Sequence, residues 1–364
     1  MELMVVDVRL DALLQLTPEL QEALEAKKGE RAPGLILKAP QTDAGLVVCT
    51  GNKTFKLRKM NQTNTVLTVK THVKDSDDDV EMAEDGPYRR PLVAFGSVPY
   101  FLEPTEISGD IRYDRVPRYV GNGKVEVSDS MVKENVDSLR QRSAISDKEF
   151  YVSWYHNAGV EINGIACIIS PSVLKTLLGE LLAAVVAEGL EFKQLELHSV
   201  YKALNSGDTH DDDEPVDVVE AVLRRFCTIE DDYYRIDEEE VVNWLGIQTL
   251  REQAYTKAIT METFMKQWRD SIPISSDWTL DLTKLTGSYV CPDQKTIRYL
   301  TLDLLSNNPK QRFSQLFTFK PTWDLDEIFP FIDDLRSKTV KLESFVMKYA
   351  RKKTINGKIT VSSR

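Results

Sequence analysis

The segment 342–361 restricts the possible folds of this chain more than any other. Leu342, Phe345, Val346 and Tyr349 stand at i, i+3, i+4 and i+7, the spacing of a helix with a single apolar face. Asn356-Gly357 then separates Thr354-Ile355 from residues 359–361, and this dipeptide readily takes the positive φ angles of a two-residue hairpin turn. An amphipathic helix running straight into a hairpin is how a winged helix, a relative of the helix-turn-helix, ends. The helical half recurs. Met261-Glu-Thr-Phe-Met-Lys-Gln-Trp268 carries the same apolar spacing as Leu342-Glu-Ser-Phe-Val-Met-Lys-Tyr349, at an offset of 81 residues.

Ser146 with Glu149, Asp237 with Glu240 and Asp324 with Glu327 each set a capping side chain before an acid three residues on. They predict amphipathic helices over 150–156, 241–250 and 328–335. Helices from about residue 130 onward thus form three small units in series; the alternative is a plain row of αα-hairpins. Residues before that read as β. Short runs at 45–50, 54–58, 65–69, 92–95, 111–113 and 124–127 predict strands, with Gly51-Asn52 and Asn61 to Asn64 as punctuation. Gly51-Asn-Lys-Thr54 lacks the upstream glycine of a phosphate loop and reads as a hairpin turn. A small sheet with so little core leaves edges that need covering, which makes Leu46, Val48, Thr54, Phe55, Leu57, Val66, Leu67 and Val69 candidate partner-binding residues. The predicted class is α+β. A β-rich, barrel-forming domain over 1–128 precedes three tandem winged helices at 129–205, 206–306 and 307–364.

Charge is spread unevenly over the 364 residues. The whole chain carries a net charge of −11, and the stretch 206–240 alone, with 14 acids against 3 bases, accounts for it. Residues 75–85 hold seven more acids. Both read as solvated loops or insertions, and His210 beside Asp211 to Asp213 has no metal-ligand spacing. The region 336–364 is the reverse, with nine bases against one acid. Here Lys341, Lys348, Arg351, Lys352, Lys353, Lys358 and Arg364 surround the terminal helix and hairpin and are the candidate DNA-binding residues. They are phosphate-type contacts, and the helix offers no Asn or Gln for adenine, which predicts sequence-tolerant binding to single- and double-stranded DNA.

No membrane or signal segment is expected. Glu2, Asp7 and Asp11 stand where a signal peptide would be basic and then apolar. The apolar stretch 173–190 contains Lys175, Glu180 and Glu188, and reads as a core helix capped by Ser170 and opened by Pro171. Cys49, Cys167, Cys227 and Cys291 have no CxxC spacing and read as reduced, mostly buried thiols. No nucleotide, metalloprotease or serine-hydrolase motif occurs. Of the four histidines (His72, His156, His198 and His210), His156 falls at a helix end, where packing explains it. Neither an enzyme nor a cofactor is predicted. Trp154 lies on an apolar helical face and is assigned to the core, whereas Tyr151 and Tyr155 suit core or interface.

Leu16-Thr-Pro-Glu-Leu20, Val48-Cys-Thr-Gly-Asn-Lys-Thr54, Asn64-Thr-Val-Leu67, Trp244-Leu-Gly-Ile-Gln-Thr-Leu250, Arg312-Phe-Ser-Gln-Leu-Phe317, Trp323-Asp-Leu-Asp-Glu-Ile328 and Phe345-Val-Met-Lys-Tyr-Ala-Arg351 resemble, in this order, the sister chromatid cohesion protein Dcc family. The resemblance implies a non-catalytic adaptor subunit of the cohesion-type alternative replication factor C clamp loader, acting in the nucleus. It implies an N-terminal sheet shared with the C-terminal tail of the large ATPase subunit and with a very small companion subunit. It further implies that the first winged helix contacts the catalytic subunit of DNA polymerase epsilon, with the sliding clamp an indirect partner. The alternatives are a winged-helix transcription regulator and a protein-only winged-helix scaffold.

Overall fold

A computed structural model describes residues 3–8, 10–25, 34–39, 45–71, 92–205, 214–273, 277–336, 340–355 and 358–364. The acidic run 75–85, residues 208–213 with His210, and the Asn356-Gly357 pair lie outside them. Among the described residues the chain forms two compact units, one of residues 1–118 and 125–168, the other of residues 119–124 and 169–364.

In the first unit the strands are β1 (Leu3–Val8), β2 (Leu10–Gln15), β3 (Ile36–Lys38), β4 (Val47–Cys49), β5 (Thr54–Thr71) and β6 (Leu92–Ile107), with helix α1 (Pro18–Glu25) between β2 and β3. They form one curled sheet in the order β1-β2-β6-β5-β4-β3. Every pairing is antiparallel except β2 with β6. Val48 joins Leu14, Leu20, Phe55 and Leu57 in one cluster, while its neighbours Val47 and Cys49 join Ala144 in another. With both faces covered, β4 is apolar throughout rather than alternating. Residues 50–53 form the expected hairpin turn, in which the Thr50 hydroxyl accepts from the Asn52 and Lys53 amides.

The sheet differs from the expectation in strand length. The runs 54–58 and 65–69 are one strand, because residues 61–64 are accommodated as an irregularity in register between Asn61 and Val66 instead of a turn. Strand β6 continues well past residue 95. Pro99 falls opposite that irregularity, and Pro104 lies beyond the pairing with β2, so neither removes a needed ladder bond. Residues 111–113 are not a strand. Ile111 is buried as the apolar signal indicated, but Tyr113–Arg115 is a turn of 3₁₀ helix.

Two short strands, β7 (Arg118–Tyr119) and β8 (Val125–Glu126), lead to α2 (Val136–Arg142) and α3 (Asp147–His156), then to the hairpin β9 (Gly159–Ile162) and β10 (Ile165–Ile169). Asn163-Gly164, both at positive φ, make its two-residue turn. Trp154 stacks on Phe150 with ring centroids 5.8 Å apart, in a cluster with Ile111, Leu139, Ile145 and Ile168. Its assignment to the core holds. A Cβ on Gly159 would lie 2.2 Å from the Trp154 ring, so this close approach requires glycine.

The second unit holds α4 (Pro171–Ala187), α5 (Leu197–Leu204), α6 (Val216–Phe226), the hairpin β11 (Cys227–Glu230) and β12 (Tyr233–Ile236), and α7 (Glu238–Gln253). Pro171 opens α4 as predicted, with Leu174, Leu177, Leu178, Leu181, Leu182 and Val185 buried along one side. Ser170 occupies the cap position, but its hydroxyl makes no capping bond and lies 3.4 Å from that of Ser172. The reading of 206–240 as an unstructured acidic stretch is corrected from Val216 onward. Val218, Val219, Val222, Leu223 and Phe226 bury one face of α6. Asp231 and Asp232, at positive φ, make the β11–β12 turn, and Glu238, Glu239 and Glu240 fill the first turn of α7, where carboxylates complement the helix dipole. Asp237 caps that helix by accepting from the Glu240 amide at 3.0 Å.

Next come β13 (Ile259–Thr260), α8 (Met261–Asp270), β14 (Tyr289–Val290) and β15 (Thr296–Tyr299), with the strands in the order β13-β15-β14. The last stretch is α9 (Pro309–Phe319), β16 (Thr322–Asp324), α10 (Leu325–Ile328), α11 (Leu342–Tyr349), β17 (Arg351–Ile355) and β18 (Lys358–Ser362). The two repeats are thus the helices α8 and α11. The helix predicted over 328–335 is instead the end of α10 followed by 3₁₀ turns at Phe329–Phe331 and Asp333–Leu335. Pro330 is the cause, since it cannot donate the next helical hydrogen bond. Trp323, Phe331, Phe345 and Val361 share one core cluster, and the Trp323 indole donates to the Leu316 carbonyl.

Candidate functional site

Phe345 and Val346 anchor α11 in the core, with Leu342 and Tyr349 packed at its margin; Tyr349 stacks on Phe313 at 5.5 Å. That fixes which side of the helix faces water. Lys348 is on that side, and Lys341 stands exposed at the N-terminal cap position. Tyr349 is followed within two residues by β17, so the helix axis leads directly into the hairpin.

The hairpin sorts its cations by period two. Arg351 pairs with Ser362, Lys353 with Thr360, and Ile355 with Lys358. Residues directly opposite share a face, so Arg351, Lys353 and Lys358 lie on one face with Ser362 and Thr360. Lys352 is opposite the fully buried Val361, on the core-facing side, and is ion-paired with Glu343. Arg364 returns to α11, where its guanidinium donates to the Met347 carbonyl. Lys341, Lys348, Arg351, Lys353, Lys358 and Arg364 are all exposed, and among the described residues none of them is paired with a carboxylate. Sequence reasoning grouped Lys352 with the others because it counted charge without the strand's alternation. The same alternation would have brought in Thr360 and Ser362 as hydroxyl donors on the cationic face.

The sheet candidates divide differently. Val48, Thr54, Phe55 and Leu57 are buried within the chain, and Leu46 packs beside them. Val66 is half-buried, whereas Leu67 and Val69 are 55% and 45% exposed. The spacing of the residues did not reveal Ile36 and Leu37, exposed on β3, whose single sheet neighbour among the described residues is β4. The next residue, Lys38, turns inward. Its ammonium donates to the carbonyls of Arg140 at 2.8 Å and Ile145 at 2.7 Å, and burial pulls its pKa below the ordinary lysine value. On α3, Tyr151 is exposed and its ring lies 6.0 Å from that of Tyr155.

The model of the family "Sister chromatid cohesion protein Dcc1" matches residues 12–332. The chain belongs to this family. A sister chromatid cohesion protein DCC1 of Saccharomyces cerevisiae is 29% identical over 370 residues, covering 97% of this chain and 96% of the relative. The mouse protein of that name is 21% identical, over 97% of this chain and 86% of its own length. The human one is 21% identical over 239 residues, 64% of this chain and 58% of its own. The Dcc1 name denotes sister chromatid cohesion, a chromosomal process carried out by protein assemblies in the nucleus, and is not the name of a reaction. The Dcc1 match begins within β2, takes in the rest of the sheet and the helices through α10, and stops before α11 and the cationic hairpin. Among the described residues, no helix is long and apolar enough to cross a membrane.

Proposed function

We propose that this chain is the non-catalytic adaptor of the cohesion-type alternative replication factor C clamp loader, joining that complex to DNA polymerase epsilon and to DNA for handling the sliding clamp. In this reading residues 1–128 are the partner-binding domain and 129–205, 206–306 and 307–364 are tandem winged helices. The recurrence of a helix followed by a hairpin supports it, in α3 with β9–β10, α8 with β14–β15 and α11 with β17–β18. The partners at the sheet are the C-terminal tail of the large ATPase subunit and its very small companion. Exposed Ile36 and Leu37 at the β3 edge, and Leu67 and Val69 towards the far end of β5, are what such strands would cover. The first winged helix takes the polymerase catalytic subunit.

The observation that carries the DNA part is the cationic face of Arg351, Lys353 and Lys358, which has no carboxylate partner among the described residues and is extended by Lys341, Lys348 and Arg364. Phosphate contacts release counterions, so affinity should fall steeply with salt, by ~0.9 in log–log slope per duplex phosphate contact and ~0.7 on single strands. Fluorescence anisotropy of labelled DNA across a salt series tests this. Replacing Lys348, Arg351 and Arg364 by alanine should lower the slope magnitude by about two to three units and weaken all sequences alike. A folded triple variant with an unchanged slope would refute this face as the DNA site.

A further inference from the structure

Helix α3 begins with a capping box that is not closed by its own residues. Ser146 is the cap, and its hydroxyl accepts from the Glu149 amide at 3.4 Å and donates to the Glu149 carboxylate at 2.7 Å. In an ordinary box that carboxylate would reach back to the cap residue's own amide. Here a strand residue stands between them. The Thr54 hydroxyl accepts from the Ser146 amide at 2.8 Å and donates to the Glu149 carboxylate at 2.6 Å. Both Thr54 and Ser146 are fully buried. Between Ser146 and Glu149, at the second residue of the helix, the Lys148 amide donates to the Gly51 carbonyl at 3.1 Å. Lys38 of β3 supplies the complementary contact, a cation on carbonyls at the end of α2 and in the α2–α3 connection. Helix ends have orphan donors and acceptors that must be satisfied. At this joint β3 and the β4–β5 hairpin satisfy them.

We infer that Thr54 and Lys38 make β3–β5 and α2–α3 a single opening unit, so that α3 is ordered by the sheet and anything fastened to the β3 side of the sheet is felt at α3. Neither element can separate without breaking the buried bonds that satisfy the other's backbone groups. Coupling of this kind is reciprocal, and loosening α3 loosens β4 and its turn. The consequence is independent of which molecules bind either surface.

Native-state hydrogen exchange on the full chain tests it with two substitutions. Thr54→Val keeps the side-chain shape and removes the hydroxyl. Amide exchange in α3 and in β4 with its turn should both accelerate, by about tenfold and by similar factors, while α11 is unchanged. Ile168→Val loosens the cluster on which Phe150 and Trp154 pack, away from the strand contacts, and should produce the same paired acceleration. If Thr54→Val speeds exchange in β4 and leaves α3 as it was, the inference is overturned. It is also overturned if the effect of Ile168→Val stops at α2, α3 and β9–β10, or if α11 accelerates equally. Should Thr54→Val fail to fold, the Ile168→Val result decides alone.

Discussion

Arg312 is 1% exposed and gives its donors to four oxygens: the Ser306 carbonyl at 2.7 Å, the Phe331 carbonyl at 3.1 Å, Asn307 Oδ1 at 3.2 Å and Asp334 Oδ1 at 2.5 Å. A buried guanidinium is tolerable only when so fully partnered. Arg312→Ala strips the Ser306 and Phe331 carbonyls and Asn307 of their donor and should destabilise the second unit by about 2–4 kcal/mol, read as a lower urea midpoint. A loss below ~1 kcal/mol would mean that water replaces the guanidinium at little cost. Cys167 gives a pH-dependent expectation. Burial pushes its thiol from an ordinary 9.0 up to about 12. The folded state then holds a proton that the unfolded state gives up, so the contribution is complete below pH 9 and is lost as pH rises through about 12. Iodoacetamide at pH 8.5 should label Cys167 far more slowly in the native chain than in urea, and equal rates would sink the assignment. At this scale the caps Ser146 and Asp237 were legible, because capping is local. The role of Thr54 was not, since its partners stand 92 and 95 residues away.

Among the elements, α7 shows packing overriding propensity. Gly246 sits inside this helix, where alanine would ordinarily be better by ~1 kcal/mol. A Cβ there would come within 2.6 Å of the Trp268 ring and 2.9 Å of Leu285. Trp268 cannot readily yield, because it is fully buried and its indole donates to the Val242 carbonyl at 2.8 Å. Gly246→Ala is expected to cost a net ~1–3 kcal/mol, as overpacked cores do, and to lower the melting temperature. A rise in melting temperature would show that the helices slide apart freely. Elements defined by apolar period, such as α4, α8 and α11, could be read from sequence. Punctuating residues misled it where strand pairing absorbs them, as at residues 61–64. Pro330 had the opposite effect, ending a helix that the apolar spacing extended. Asn163-Gly164 carried the same turn chemistry as Asn356-Gly357 and went unused, although it closes the β9–β10 hairpin.

For the molecule as a whole, an acidic chain gathers nine bases against one acid in residues 336–364, and the expected DNA affinity is therefore local and salt-sensitive. The division of labour along the chain is testable by truncation. A fragment of residues 1–128 strips Lys38 of its acceptors, Thr54 of Ser146 and Glu149, and Val47 and Cys49 of Ala144. A fragment of residues 1–169 keeps them all, and should unfold at a higher urea concentration and more cooperatively than 1–128. Equal midpoints would make the sheet self-sufficient. Order of synthesis is a separate matter. Strand β18 is the middle strand of the sheet β16-β18-β17, and β16 and β17 do not pair with each other. On a ribosome adding ~5–20 residues per second, β16 emerges seconds before its neighbour exists. Trp323, carried on β16, can meet Leu316 and Phe331 early but gains its cross-strand neighbour Val361 only at the end. For that interval β16 has an edge without its partner, and a chaperone that shields unpaired strand would find its substrate there.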